Sequence, residues 1–142
     1  MTTLSPYYAN LFNGLDLDVL VIDTHPGINE ETLLSITVSD SVVLLLRPDK
    51  QDYQGAAVTV DIARRLEVPE LLMVVNKVPS TVDLASAAQQ VAAAYGVEVA
   101  GVLPLSEDIA ANASGGLFAV TNPEHPWSAA LHGVAERLLN GA

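Results

Sequence analysis

Four short apolar runs, rich in Val, Ile and Leu and without alternating polar residues, most constrain how this chain can fold. Strands that are buried on both faces have this composition, and such strands usually lie in parallel sheets covered by helices. Helical patterns separate the runs, so the sequence predicts an α/β fold of successive βαβ units, with a Rossmann-like parallel sheet of about four strands. The predicted strands are residues 18–23, 41–47, 71–76 and 97–104.

Apolar residues repeating at three- and four-residue spacing predict the helices between these strands. Capping residues set their ends: Ser, Asp or Asn at the start, and Gly at the end. The polar residues 49–55 are interpreted as a loop that connects the second strand to the next helix. Five helices are predicted: from Asn29 to about Ser39, from Gly55 onward, from Ser80 to Gly96, from Ser106 through Ala113, and from Pro126 to Gly141. In the second helix, Val58, Ile62 and Leu66 should form the buried face. Ser80 and Asp83 resemble a capping box at the start of the third helix.

Composition narrows the class of protein. The 142 residues, 50% of them hydrophobic, predict one domain spanning 1–142, with residues 1–14 as a leader segment. A net charge of -11 disfavours nucleic acid and anionic membranes as direct partners. The chain has no cysteine, no secretory signal and no apolar run of about 20 residues, so we expect a soluble, cytoplasmic protein without a membrane anchor of its own.

The predicted strands end in polar residues that should share one edge of the sheet. In open parallel sheets, ligands bind beyond the carboxyl ends of the strands. The segments that follow those ends are residues 23–27, 48–55, 76–79 and 104–108. The candidate binding residues lie within them.

Asp23 and Gly27 are candidates for a site that holds a metal ion and a phosphate group. Asp23 closes its strand, so its carboxylate could hold Mg²⁺ directly or through water. Gly27 has no side chain to keep its N–H from a phosphate oxygen. The alternative is that Asp23 only caps the turn or the following helix. His25, between them, is interpreted as an exposed turn residue, since no second metal ligand lies at a suitable spacing.

Asn76 and Ser106 are candidates for contact with a nucleotide base. The Asn76 amide could read the edge of a purine, or it could cap the next turn. The loop from Pro104 to Ser106 could lie against the same base, or it could be only a loop before a capped helix. Arg47 could face a phosphate or a partner's carboxylate, or lie in solvent.

These segments together resemble the MinD/ParA family of deviant Walker-type ATPases, and the resemblance covers nearly the whole chain from about Leu15. It rests on VLVIDTHPG at 19–27, NEETLL at 29–34, LRPD at 46–49 with DYQG at 52–55, VVNKVP at 74–79 and GVLP at 101–104. The resemblance implies an ATP-dependent dimerising switch used in partitioning and cell division. By motif position, it makes Asp23 the Walker B residue near Mg²⁺, Gly27 the switch amide that faces the terminal phosphate, and Asn76 the adenine-reading amide, with Pro104 and Ser106 beside the base.

One family motif is missing from the sequence. No segment reads G-x-x-x-x-G-K-[ST], and the two lysines, Lys50 and Lys77, follow Asp49 and Asn76. Phosphoryl transfer depends on positioned positive charge, so the catalytic set is incomplete, and we expect weak ATP and Mg²⁺ binding and negligible hydrolysis by the chain alone. An apolar sheet edge left open predicts a homodimer or a larger assembly with the missing N-terminal portion or a complete family member.

Three interpretations remain open from the sequence. The chain could be the C-terminal portion of a MinD/ParA-like ATPase whose site is completed by other residues. It could be an interaction or regulatory protein, without a phosphate loop, that binds a complete family member. It could also be an unrelated Rossmann-like enzyme that uses Asp23 and the loops at the sheet edge on a small metabolite.

Overall fold

The computed structural model describes residues 5–141. Its strands are β1 (Ser41–Leu46), β2 (Glu70–Val78) and β3 (Glu98–Pro104), and its helices are α1 (Ser5–Gly14), α2 (Glu30–Val38), α3 (Lys50–Arg65), α4 (Leu84–Tyr95), α5 (Glu107–Asn112), α6 (Phe118–Thr121) and α7 (Pro126–Gly141). Within these residues the strands form one parallel sheet in the order β1-β2-β3. The prediction of an α/β fold with a helix-covered parallel sheet is confirmed.

The sheet of the described residues has three strands rather than about four. The prediction of a strand at residues 18–23 is wrong: this segment has no ladder partner, and Val19 and Val21 are 54% and 83% exposed. A strand requires a hydrogen-bonded neighbour as well as an apolar composition. The other three predicted strands are confirmed to within three residues at each end.

Helices cover both faces of the sheet. Met73 and Val75 point to one face, where they pack in a core with Ala56 and Val60 of α3 and with α4. Val74, between them in the chain, points to the other face and packs with Leu103 and α7. Successive residues of a strand alternate between faces, so an uninterrupted apolar run is what a central strand with two covered faces requires.

Helix α3 differs from its prediction in both extent and orientation. It begins at Lys50, where Asp49 caps it by accepting hydrogen bonds from the N–H groups of Gln51 and Asp52, so residues 50–55 are helical and not a connector. Its buried residues are Ala56, Val60 and Ala63, whereas Val58 is 53% exposed. Two alanines on the buried face of α3 let the helix approach the sheet closely. The bulkier face predicted from Val58, Ile62 and Leu66 would not allow this approach.

The remaining predicted helices are confirmed, with one change of cap. Asn29 caps α2 by accepting a 2.8 Å hydrogen bond from the Thr32 N–H. Helix α4 is capped by Asp83 and not by Ser80, and it ends at Gly96 in the left-handed conformation. Within residues 5–141, no helix combines the length and the apolar character needed to cross a membrane.

Close contact between α7 and β3 fixes the last helix on the sheet. A Cβ atom at Gly101 of β3 would overlap the Val134 side chain of α7. At the other end of the strands, Arg137 of α7 donates to both carboxylate oxygens of Glu98 at 2.7 and 2.9 Å and to Glu70 at 2.9 Å. Helix α7 is thereby held along its length, and its first turn is brought to the carboxyl end of the sheet.

Candidate functional site

A cavity of about 250 Å³ lies at the carboxyl ends of β2 and β3, and we call it the base-side cavity. The predicted site residues Asn76, Pro104 and Ser106 all line it. Because β2 and β3 are parallel neighbours, their carboxyl ends lie at the same edge, and the polar residues that follow them meet there. The other lining residues are Lys77, Leu105, Ile109, Ala110 and Trp127.

Asn76 lies at an irregularity of β2. The register with β3 shifts between Val75 and Val78, and Lys77 adopts a left-handed φ of 55°. A non-glycine residue in this conformation is strained. The Asn76 Oδ1 accepts a 2.8 Å hydrogen bond from the Lys77 N–H, so the predicted turn-capping role is present.

That capping role leaves the rest of the Asn76 amide available. A carbonyl oxygen accepts two hydrogen bonds, and within residues 5–141 the Asn76 Nδ2 has no hydrogen-bond partner. The side chain is half-buried at the cavity wall. It can therefore cap its turn and still offer one acceptor position and two donors to a ligand.

Ser106 also has a structural role at the cavity. Its Oγ accepts a hydrogen bond from the Ile109 N–H across 3.4 Å, so it caps α5 as predicted. The bond is long, and the hydroxyl hydrogen is not used in it. Pro104 is the last residue of β3, and the Leu105 N–H after it donates to the Val78 carbonyl at 2.8 Å, which holds this loop beside β2.

Trp127 lines the base-side cavity but was not among the residues singled out from the sequence. It lies in the first turn of the predicted helix 126–141, and it packs against the core beneath α7. Its ring also meets Phe118 edge-to-face, with centroids 6.3 Å apart. The available signal was position: Trp127 is the only tryptophan and stands in the first turn of a helix that starts at the sheet edge.

The Asp23 segment lines a different cavity of about 230 Å³, which we call the switch-side cavity. Asp23 and His25 are both exposed. Gly27 has φ of +96° with open space around its missing Cβ, so its backbone conformation favours glycine and its surroundings are accessible. The cavity is lined by Tyr8, Ile22, Asp23, Thr24, His25, Glu31, Leu34 and Ser35.

The two cavities have no lining residue in common: residues 23–25 line one, residues 76–77 and 104–106 line the other, and none of residues 48–55 lines either. Two carboxylates, Asp23 and Glu31, line the switch-side cavity. No group of three or more potential metal ligands occurs in the part of the chain that the structure describes. Mg²⁺ is commonly held by one or two carboxylates and several waters, so these residues fit such an ion without forming a complete cage.

Arg47 is engaged within the chain. Its Nε and Nη2 donate to the two oxygens of Asp52, each at 3.0 Å, and its backbone N–H donates to the same carboxylate at 2.8 Å. The hydrogen bonds from Arg47 hold the pKa of Asp52 below its usual value. Of the roles considered for Arg47, a carboxylate contact is present, but the carboxylate belongs to the same chain.

The chain is similar in sequence to a curated protein and similar in fold to solved structures. No protein-family model matches the sequence. An uncharacterised ATP-binding protein of Methanocaldococcus jannaschii is 26% identical over 124 residues, which are 87% of this chain and 47% of that protein. The chain thus spans about half the length of this curated relative.

Two solved structures match the fold closely. The MinC:MinD cell division protein complex of Aquifex aeolicus matches with a TM-score of 0.83 and 16% identity, over 96% of this chain and 57% of that chain. The MinD cell division protein of the same organism gives 0.81 and 15%, over 96% and 59%. Over nearly its full length, the chain therefore has the fold of part of MinD.

Proposed function

We propose that this chain is the adenine-side and switch-side portion of a MinD/ParA-like ATP-dependent switch protein. The observation that carries the proposal is the base-side cavity: three residues selected from the sequence as adenine contacts, Asn76, Pro104 and Ser106, line one cavity at the carboxyl edge of a MinD-like sheet. The ATP-binding relative from M. jannaschii supports the same class of ligand.

The chemistry of the base-side cavity suits a purine. A purine offers a polar edge with donors and acceptors and two apolar faces. The Asn76 amide and the Ser106 hydroxyl supply polar groups of both kinds. Trp127 and Ile109 supply the apolar wall, and aromatic side chains stack favourably on bases.

The switch-side cavity is proposed to face the phosphates. Asp23 would hold Mg²⁺ through water, and the Gly27 N–H would face the terminal phosphate. A bound Mg²⁺ would neutralise phosphate charge, while Asp23 would fix the ion's position and Gly27 would supply a donor. Because the two cavities have no wall in common, we propose that residues outside the described chain close the gap between them.

The charges of the chain limit what it can do alone. Lys77 is the one lysine or arginine that lines either cavity among residues 5–141, and the sequence contains no phosphate-loop motif. A triphosphate needs several positive groups and backbone donors around it. We therefore propose weak ATP binding, negligible hydrolysis and completion of the site by another polypeptide segment. Such a segment could pair with β1, one of the two edge strands of the described sheet.

Calorimetric titration of the chain with adenosine and with Mg·ATP tests this proposal. We expect both ligands to bind weakly and with similar dissociation constants, because the contacts are to the base. Asn76→Ala should weaken both. Asn140→Ala, an exposed amide near the far end of α7, is the matched control and should leave both constants unchanged.

The outcomes separate the alternatives. Micromolar binding of Mg·ATP, far tighter than adenosine, would contradict the incomplete site. Absence of adenosine binding at millimolar concentration would contradict the base-side cavity as a purine site. Magnesium-dependent turnover of a small metabolite by the chain alone would favour the enzyme interpretation instead.

A further inference from the structure

His125 caps helix α7 in an uncommon way. Its carbonyl accepts from the Ala129 N–H at 3.0 Å, the first hydrogen bond of the helix. Its ring Nδ1 lies 3.1 Å from the N–H of Trp127, which donates to it. Histidine is not among the preferred N-cap residues, which are Asn, Asp, Ser and Thr. A shorter side chain would cap the helix as well, so capping alone does not account for a histidine at this position.

The second ring nitrogen of His125 makes a separate contact. Because Nδ1 accepts a hydrogen bond from Trp127, the proton of the neutral imidazole lies on Nε2. This atom is 3.3 Å from Asp108 Oδ2, so the ring donates to a carboxylate in the first turn of α5. The same ring packs edge-to-face on Phe118, with centroids 5.1 Å apart. One side chain thus joins α5, α6 and α7.

The joined helices are walls of the base-side cavity. Ile109 and Ala110 of α5 and Trp127 of α7 line it. Helix α5 has six residues, and none of them is buried, so packing holds it weakly. A tether from α7 would therefore fix the distance between the two walls.

We propose that His125 is a positioning residue of the base-side cavity: it caps α7 through Nδ1, tethers α5 through Asp108, and so sets the width of the slot between Trp127 and Ile109 that receives a planar base. The ligand in this statement rests on the proposed function. The tether itself does not.

Three variants separate the tether from the cap. His125→Asn keeps an N-cap acceptor for the Trp127 N–H but cannot reach Asp108. Asp108→Ala removes the other partner of the tether and leaves the cap intact. His132→Asn, an exposed histidine on α7, is the matched control.

Trp127 gives a readout that does not require a ligand, because it is the sole tryptophan of the chain. In the free protein, acrylamide quenching of its fluorescence should increase in His125→Asn and in Asp108→Ala, and no further in the double variant. His132→Asn should match the wild type. Unchanged quenching in both single variants would overturn the positioning role, because a widened slot must expose the indole.

Adenosine titration gives the second readout. We expect His125→Asn and Asp108→Ala each to weaken binding about two- to fivefold, the range for an exposed charged hydrogen bond, with no additional loss in the double variant. Losses that add would overturn the shared tether. Failure of the wild type to bind adenosine would contradict the proposed function, and the quenching result would then decide the positioning role by itself.

Discussion

The base-side and switch-side cavities are both lined by residues that the sequence marks as candidate ligand contacts, but the fold positions the two sets differently. Asn76, Pro104 and Ser106 follow strands that pair with each other, and they meet at one cavity. Asp23 follows an equally apolar run that pairs with no strand of residues 5–141, and it lines a separate, exposed cavity. A polar residue at the end of a strand is placed by its neighbours in the sheet.

The two regions also differ in how their residues are held in place. On the base side, residues 72–75 and Val78 of β2 are buried, and a register shift, two helix caps and a histidine bridge hold the cavity walls. On the switch side, α2 is capped and partly buried, but the segment before it has no regular secondary structure and is mostly exposed. The walls of the first region are therefore joined by hydrogen bonds within the chain, whereas residues 18–23 of the second have no ladder partner among residues 5–141.

Amide hydrogen exchange should show the largest contrast. We expect the amides of Val74 and Val75, in the central strand, to be protected more than about 10³-fold, because their exchange requires global unfolding. The amides of Val19 and Val21 should be protected less than about tenfold, since they lack ladder partners. Similar protection in the two segments, measured by NMR, would break the comparison.

Gly101→Ala tests the contact that places Trp127 on the base side. The new methyl group would overlap Val134 and force α7 from β3, and we expect a loss of about 1–3 kcal/mol in the free energy of unfolding, measured in urea. Gly133→Ala is the control in α7, where a Cβ meets nothing within 4 Å; it should stabilise the protein by about 0.5–1 kcal/mol. Equal effects would contradict the close packing of α7.

The N-cap residues of the two regions should show the opposite order, with the larger loss of stability on the switch side. Asn29→Ala removes a 2.8 Å cap from α2 and should cost about 1 kcal/mol. Ser106→Ala removes a 3.4 Å cap from the short α5 and should cost less than about 0.5 kcal/mol. Thermal denaturation measures both. A larger loss for Ser106→Ala would show that α5, rather than α2, anchors its region.

The smallest expected effect is a pH dependence at the far end of α7. Hydrogen bonds from Arg137 lower the pKa of Glu98 below its usual value. A carboxyl group with a lowered pKa in the folded state contributes stability above its unfolded pKa, and this contribution is lost as the pH falls through the folded pKa. Arg137→Met should therefore destabilise the protein at neutral pH and differ less from the wild type at about pH 3.

Arg65→Met is the control for that pH series. Arg65 pairs with Asp61 on the same helix, and both side chains are mostly exposed, so its removal should change neither stability nor its pH dependence measurably. If the difference between wild type and Arg137→Met in urea midpoint stayed constant from pH 7 to about pH 3, the ionic origin of the effect would be contradicted.

The sequence predicted the parts of the fold that local rules determine. The runs that became β1, β2 and β3 were recognised because the buried part of a strand with two covered faces is a nearly continuous apolar run. Asn29, Gly96 and Pro126 marked helix ends by their capping and backbone preferences. Asn76, Pro104 and Ser106 could be grouped because parallel strands place their carboxyl ends together.

What the sequence missed depends on partners distant in the chain. The run 18–23 has the composition of a strand, and composition alone does not show that a neighbour is absent. The buried face of α3 is set by the alanines that fit the sheet rather than by its largest residues. Trp127 reaches the cavity from α7, which lies close to β3 because Gly101 leaves room for Val134, a contact between residues more than 20 positions apart.

NMR chemical-shift mapping with adenosine tests the central claim most directly, because it reports both cavities in one titration. The account predicts saturable shifts of the Trp127 indole N–H, the Asn76 side-chain amide and the Ser106 backbone amide, with residues 19–27 unmoved. Shifts confined to residues 19–27, or a complete lack of shifts at the base-side cavity, would contradict it.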